Sequence, residues 1–597
     1  MSLQHIYQPA PEDWSSEQDV VRKRKGAAPA KRINILLFLM GLAAALLGMQ
    51  LVRHQIFGIM PEQKVVAVPA KLRPRGAIVD VNGHPLAIQR FRYEIVASPY
   101  IMGAKTRKLA AEKVAPMLGV SGEEMLALFA ANDDENVTIP LASDVAPEIG
   151  EAIQALDITG IGVYIYPIRF HPERNMASHV LGFVSVDNEG RYGLESYFDS
   201  FLVAPTAKIL PRPTPHLEKD MGGLTTDDVL PKSPFIPSLA RRDLILTLDR
   251  SLQYVAETEL QKGVEKYEAD SGVVIIMDPK TSAILAMAGY PDYNPDDYAN
   301  VPSEDVYVNP AISKIYEPGS VFKLITFAAA LDKGVITPET QYKDTDKFVY
   351  YQQTVQNWDR KGRGVVSAQQ ALAQSLNVTT AKIAVDVGAE DFYRTVTSFG
   401  FGVITGVELS YEAGGIVHKP NSISWTPGYL ATNSFGQAIS VTPLQMANAV
   451  AAIAAGGVVH RPHMVNMTIK DDTVRVKEPE PVSRAISTES ARTLTQMMIA
   501  AANHTKAATI PGHAIAGKTG TAEIPGLGGY KEKRTITTFV GFFPPDDPQY
   551  LILVKLERPN ASAWAGKTAA PVFREIAQAI INMRNIPPDD IRLNATP

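Results

Sequence analysis

Cysteine is absent from the chain, so disulfides, thiol catalysis and zinc–thiolate sites are all excluded. That absence suits an exported protein that avoids stray oxidation. No histidine is followed by glutamate, which removes the H-E-x-x-H zinc-protease motif. Neither a P-loop nor a G-x-G-x-x-G run occurs, which argues against nucleotide use. Net charge is small, -5 over 597 residues, and gives no reason to expect a nucleic-acid partner. There is no 20-to-50-residue repeat of the kind that marks solenoids. His460 and His463 form a His-x-x-His in a turn-like stretch with no evident third ligand, so neither a metal nor a cofactor is expected.

What is present describes a large folded protein. Hydrophobic residues make up 45% and charged residues 20%, and the length calls for two or more domains. One long uncharged run stands out. Ile33 to Val52 spans 20 residues, and at about 1.5 Å per residue it crosses a hydrocarbon core of about 30 Å. Arg22, Lys23, Arg24, Lys25, Lys31 and Arg32 precede it, whereas Arg53 and His54 follow. The bias predicts a single-pass anchor in the cytoplasmic membrane, with residues 1–32 as a cytoplasmic tail and the rest outside. A cleaved signal peptide and a buried soluble helix are the competing readings. The run is longer than a signal h-region, and Gly48-Met49-Gln50 is a poor cleavage site.

Beyond the anchor the pattern divides near residue 240. Arg73 to Ala87 reads as strand, tight turn at Asn82-Gly83, and strand, because both turn residues tolerate positive φ. Residues 104–155 carry helical spacing, and Gly160 to Phe170 alternates like a strand. Residues 205–240 hold seven prolines and read as an extended arm at the end of a pedestal domain, 53–240. A second regime, 241–585, opens with a strand at 243–249 and an amphipathic helix through Leu252, Val255, Leu260 and Val264. A hairpin over 273–287 follows. Paired strands at 538–543 and 550–556 precede a closing helix marked by Val572, Ile576 and Ile580. Residues 586–597 read as a C-terminal tail. Strands at both ends with helices between them suggest an α/β sheet covered by helices.

Ser320 opens the Ser-x-x-Lys Ser320-Val-Phe-Lys323, preceded by Pro318-Gly319 and followed by a helix. A serine at a helix start sits where free N–H groups favour a developing anion, and Lys323 falls one turn on. Such a lysine can act as a base only if burial or a second cation depresses its pKa. Alone the motif is weak, since chance supplies it about once or twice in a chain this long. A capping serine and a solvated lysine would look the same. Two further elements change that. Ser375-Leu-Asn377 follows a helical stretch and could place a hydroxyl and an amide on one wall of a cleft. Lys518-Thr-Gly520 and Thr521 read as a strand that supplies the second cation and two hydroxyls suited to a carboxylate. Trp358 is either a core residue or an aromatic rim to the cleft.

Ser-x-x-Lys, a Ser-x-Asn triplet and Lys-Thr-Gly, in that order, resemble the constellation of the class B penicillin-binding proteins, monofunctional peptidoglycan transpeptidases. The resemblance runs from about Leu72 to Met583. It takes in Arg75-Gly-Ala-Ile-Val-Asp80, His179-Val-Leu-Gly-Phe183, Gly193-Leu-Glu195, Tyr316-Glu-Pro-Gly-Ser320, Phe435-Gly-Gln437 and Val441-Thr-Pro-Leu-Gln445. Asn357-Trp358-Asp359 is closest in wording to septal members. Segment 205–240 departs from the family, which usually has a short glycine-containing hairpin there.

The resemblance implies a transpeptidase domain built as an antiparallel sheet with helices on both sides, on an elongated α+β pedestal. It also implies roles. Ser320 would attack the penultimate D-alanine carbonyl of a stem peptide, and Lys323 would take its proton. Ser375 would relay a proton to the leaving amine, and Asn377 would bind the substrate amide. Lys518, Thr519 and Thr521 would hold the carboxylate, with Gly520 permitting close approach. The backbone N–H groups of Ser320 and Thr521 would form the oxyanion hole. Implied partners are peptidoglycan stem peptides, β-lactams as covalent inhibitors, an integral-membrane glycan polymerase and other division-complex proteins. An elongation-type transpeptidase, a serine β-lactamase, a β-lactam-sensing receptor and an inactive division scaffold remain as alternatives.

Overall fold

The computed structural model describes residues 73–133, 137–204, 241–420, 422–471, 473–524 and 534–594. The apolar run 33–52, its N-terminal flank and the proline-rich segment 205–240 lie outside the described residues. Among the described residues no helix is long and apolar enough to cross a membrane.

The pedestal starts with β1 (Ile78–Val79) and the long β2 (Pro85–Ala97), antiparallel as the hairpin reading predicts. The turn works differently from that reading. Only Gly83 takes a positive φ, 81°, and Asn82 does not. The buried Asp80 carboxylate organises the turn by accepting from Asn82 N at 2.9 Å and His84 N at 2.7 Å. Next come α1 (Ala104–Met117), α2 (Gly122–Ala131), β3 (Ile139–Val145), α3 (Pro147–Ala155) and β4 (Ile161–Phe170). A reciprocal Ser121–Glu124 box starts α2 and turns Met125 and Phe129, one helical turn apart, into the core. The stretch expected to be helical throughout 104–155 is therefore broken by β3. Its Ile139 and Pro140 pair with Ala97 and Val96 of β2, and that tertiary pairing overrides the local spacing.

The second part contains β5 (Arg242–Leu246), α4 (Arg250–Tyr267), β6 (Ser271–Met277) and β7 (Ile284–Tyr290). Then follow α5 (Lys323–Asp332), β8 (Gln341–Asp344), α6 (Ala368–Ala373), α7 (Asn377–Val387) and α8 (Pro443–Ala454). The chain continues through β9 (Val465–Lys470), β10 (Thr473–Val476), α9 (Thr488–His504), β11 (Ala516–Glu523), β12 (Thr535–Phe543), β13 (Tyr550–Glu557), α10 (Ala569–Arg584) and α11 (Asp589–Asn594).

Two sheets organise these elements. One runs β10-β9-β5-β1-β2-β3, with β4 also on β2. Strand β5 lies parallel to β1, so this sheet crosses the boundary read between residues 240 and 241 and joins pedestal to catalytic region. The other sheet, β11-β12-β13-β6-β7, is antiparallel throughout. Alternation in β6 explains why helices cover both faces. Val273, Ile275 and Met277 point into one core with α5, α8 and α9, while Val274 and Ile276 point into another with α4 and α10. Each such fully buried aliphatic contributes roughly 1.5–3 kcal/mol.

Residues 586–597, expected as a tail, form α11 over Asp589–Asn594. Polar contacts dock it: Asp589 Oδ2 accepts from Ala514 N at 2.6 Å, and Arg592 pairs with Asp546 and Asp589. No apolar periodicity announces such docking, so the sequence pattern misses it.

Candidate active site

Three backbones converge on Ser320. Ser320 sits in a single 3-10 turn, Gly319–Phe322, that runs into α5. Gly319 holds φ 56°, and a Cβ there would stand 2.8 Å from Thr521 O. A Cβ at Gly520 would stand 2.9 Å from Pro318 O. Glycine at both places lets the turn press against the edge strand β11. On the other side Gly319 N donates to Gly436 O at 3.0 Å, and Tyr316 and Val441 exchange two backbone bonds of 2.9 Å. Phe435-Gly-Gln437 and the segment Val441–Gln445 thus serve as a buttress. Thr442 and Gln445 cap α8 reciprocally, and Gln445 Nε2 ties back to Gly414 O at 2.8 Å.

Lys323 opens α5 with relative exposure 0%, and Lys518 on β11 has 2%. Both amines close on Ser375. Lys323 Nζ donates to Ser375 O at 2.6 Å and to Ser375 Oγ at 3.1 Å. Lys518 Nζ donates to the same Oγ at 3.1 Å and to Thr519 O at 3.1 Å. Ser375 reaches this position through a left-handed φ of 58° between α6 and α7. Among the described residues neither lysine forms an ion pair. Burial, and then the Lys518 charge, drive the Lys323 amine well below its usual range. Burial lowers Lys518 to about 7. One amine can therefore be neutral beside one cation near neutral pH, the condition a lysine base requires.

The remaining residues take places around this centre. Asn377 begins α7, and its Nδ2 donates to Gln356 O at 3.0 Å. Thr519 and Thr521 share one face of the edge strand β11 by alternation, and the Lys518 amine reaches round to Thr519 Oγ1 at 3.4 Å. Thr521 Oγ1 accepts from Ala565 N at 3.2 Å. Strand β11 is the sheet edge, so one side of its backbone is left unpaired by the sheet. Trp358 is no core residue: it is 60% exposed and meets Trp564 edge to face at 5.1 Å. The pair links the wall that carries Asn377 to the one that carries Thr521. Lys323 Nζ is engaged with Ser375 and forms no hydrogen bond with Ser320. Trp564 and a buried carboxylate, Asp344, were not picked out by the motif reading. No short-range spacing marks either, because their partners lie far off in sequence.

Residues 272–578 match the penicillin-binding protein transpeptidase domain, and residues 71–204 match the penicillin-binding protein dimerisation domain. Stage V sporulation protein D of Bacillus subtilis is 30% identical over 514 residues, covering 84% of this chain and 77% of that one. The peptidoglycan D,D-transpeptidase FtsI of Escherichia coli is 29% identical over 523 residues, covering 86% and 84%. The crystal structure of penicillin binding protein 3 from Mycobacterium tuberculosis, complexed with aztreonam, shares the fold. Its TM-score is 0.66 at 24% identity, covering 87% of this chain and 98% of that one. The chain belongs to the class B penicillin-binding proteins, with dimerisation and transpeptidase domains in one polypeptide.

Proposed function

We propose that the chain is a peptidoglycan D,D-transpeptidase of septal wall synthesis, anchored by residues 33–52 with its catalytic domain outside the cytoplasmic membrane. The observation that carries the reading is Ser375 Oγ, held 3.1 Å from each of two buried amines that have no carboxylate partner among the described residues. Neutral Lys323 takes the Ser320 proton as Oγ attacks the penultimate D-alanine carbonyl of a donor stem peptide. The oxyanion rests on the backbone N–H groups of Ser320 and Thr521, a kind of donor worth about 3 kcal/mol each. Ser375 passes a proton to the leaving amine, the terminal D-alanine departs, and an ester on Ser320 remains. Lys518, Thr519 and Thr521 hold the substrate carboxylate while Asn377 takes the peptide amide. An amine of a neighbouring stem peptide then attacks the ester, forms the cross-link and frees Ser320.

Septal duty is supported by the names of relatives such as FtsI of Escherichia coli. Glycan polymerisation then falls to a partner, an integral-membrane polymerase of the division complex. β-Lactams acylate Ser320 and stay. Labelling with a fluorescent penicillin tests the chemistry: a long-lived adduct lost in Ser320→Ala is expected, and labelling that survives the substitution sinks the mechanism. Rapid release of the adduct would instead mark a β-lactamase. Depletion in the native cell tests the duty, with filaments expected and rounded cells pointing to elongation.

A further inference from the structure

Asp344 ends β8 with 2% exposure, and its carboxylate is fully engaged. Oδ2 accepts from Asn357 Nδ2 at 2.7 Å and from Arg363 N at 3.0 Å, and Oδ1 accepts from Thr379 Oγ1 at 2.8 Å. Two of these donors, Asn357 and Thr379, lead to the wall of the cleft. Thr379 is the third residue of α7, whose first is Asn377. Leu376, which precedes the helix, offers no capping side chain. Asn357 fills that place from 21 residues upstream, its Oδ1 accepting from Val378 N at 3.2 Å. The adjoining Gln356 O receives the Asn377 amide at 3.0 Å. One carboxylate therefore holds the helix start beyond Ser375 through Thr379 and Asn357, and Asn357 adjoins the carbonyl that accepts from Asn377. A negative charge at the N-terminus of α7 is also favourable to the helix dipole.

We propose that Asp344 is a positioning residue for acylation, holding the Ser375–Asn377 wall through Asn357 and Thr379 and placing a negative charge behind that wall on the Lys323 side. The inference rests on the acylation reading above. The groups that bear on Lys323 are Lys518 from β11 and Asp344 from β8. Burial and Lys518 push its amine down, and Asp344 pulls it back up. Around Asp344, Arg363 is paired with Asp359 and Lys382 donates to Lys343 O, so neither neutralises it. Removing the charge lowers Lys323 further, so the amine stays neutral to lower pH.

The test measures the rate of fluorescent-penicillin acylation against pH on the full-length protein in detergent. Asp344→Asn should move the acid limb to lower pH, since the carboxylate that raises Lys323 is gone. It should also reduce the plateau about tenfold, the scale of a small displacement of reacting groups. Thr379→Val and Asn357→Ala remove the ties but keep the charge, so they should lower the plateau and leave the limb in place. An Asp344→Asn profile identical to the parent's overturns the proposal. Where Asp344→Asn fails to fold by circular dichroism, parental plateaus in both other variants overturn it equally. Labelling that survives Ser320→Ala, read with Asp344 intact, overturns the acylation reading itself and this inference with it.

Discussion

The molecule buries two clusters of cations and treats them in opposite ways. In the pedestal Arg75 has 1% exposure, and it is paid in full by acids. Its Nε meets Glu195 Oε2 at 2.6 Å and its Nη1 meets Asp199 Oδ1 at 2.8 Å, while Arg169 binds the other Glu195 oxygen at 2.6 Å. Burial works against the Arg75 charge, but Glu195 and Asp199 outweigh it and hold its pKa above the usual arginine value. In the active site Lys323 and Lys518 are as deeply buried, yet a serine hydroxyl stands where an acid would. Equal burial thus gives a permanent ionic clamp in one region and amines with lowered pKa in the other. Arginine suits the first because it stays charged, and lysine suits the second because its pKa moves.

The largest expected effect breaks the active-site half of this contrast. Lys323→Met should slow penicillin acylation by about a thousandfold, within the range for losing a general base. Its thermal midpoint should hold or rise, because an unpaired buried amine has been removed. A clear fall in the midpoint would erase the contrast. Arg75→Met should do the reverse. Leaving Glu195 buried without one of its partners should cost about 3–5 kcal/mol in denaturant unfolding, with acylation by the folded fraction unchanged.

The pH responses sharpen the comparison. Folding holds both lysines below the ordinary value of 10.5, so the unfolded chain binds more protons. The Lys518 contribution to stability therefore rises with pH from about 7 toward 10.5, and the Lys323 contribution rises in the same sense up to 10.5. Acylation should instead decline above about pH 7 as Lys518 loses the charge that holds the substrate carboxylate. In Lys518→Arg that alkaline limb should disappear, since guanidinium stays protonated; a limb that persists assigns it to another group. The smallest effect belongs to Trp358→Ala. With the ring exposed, stability should change by less than about 0.5 kcal/mol in thermal unfolding.

The three catalytic motifs were legible because each is short and sits beside an element its own residues encode. Strand β6 was legible as an apolar run leading into a turn, and helix α4 and the closing helix by periodicity. Strand β3 was not, because its pairing partner, not its own pattern, makes it a strand. Helix α11 was hidden for the same reason, held by Asp546 and Ala514 across the fold. Asp344 was invisible because Asn357 lies 13 residues from it and Thr379 lies 35, distances no local motif spans. Arg75 and Glu195 were each noticed as family wording, but their contact across 120 residues was not.

By itself the sequence determined the order of chemical groups: a serine and lysine one turn apart, a second serine with an amide, and a second lysine on a strand. Tertiary structure decided their electrostatics. Whether a lysine is a solvated cation or a base depends on burial and on which charges stand near it, and both are set by contacts between residues remote in the chain. Folding placed Lys323 and Lys518 on one hydroxyl, left neither paired with a carboxylate among the described residues, and brought Glu195 to Arg75.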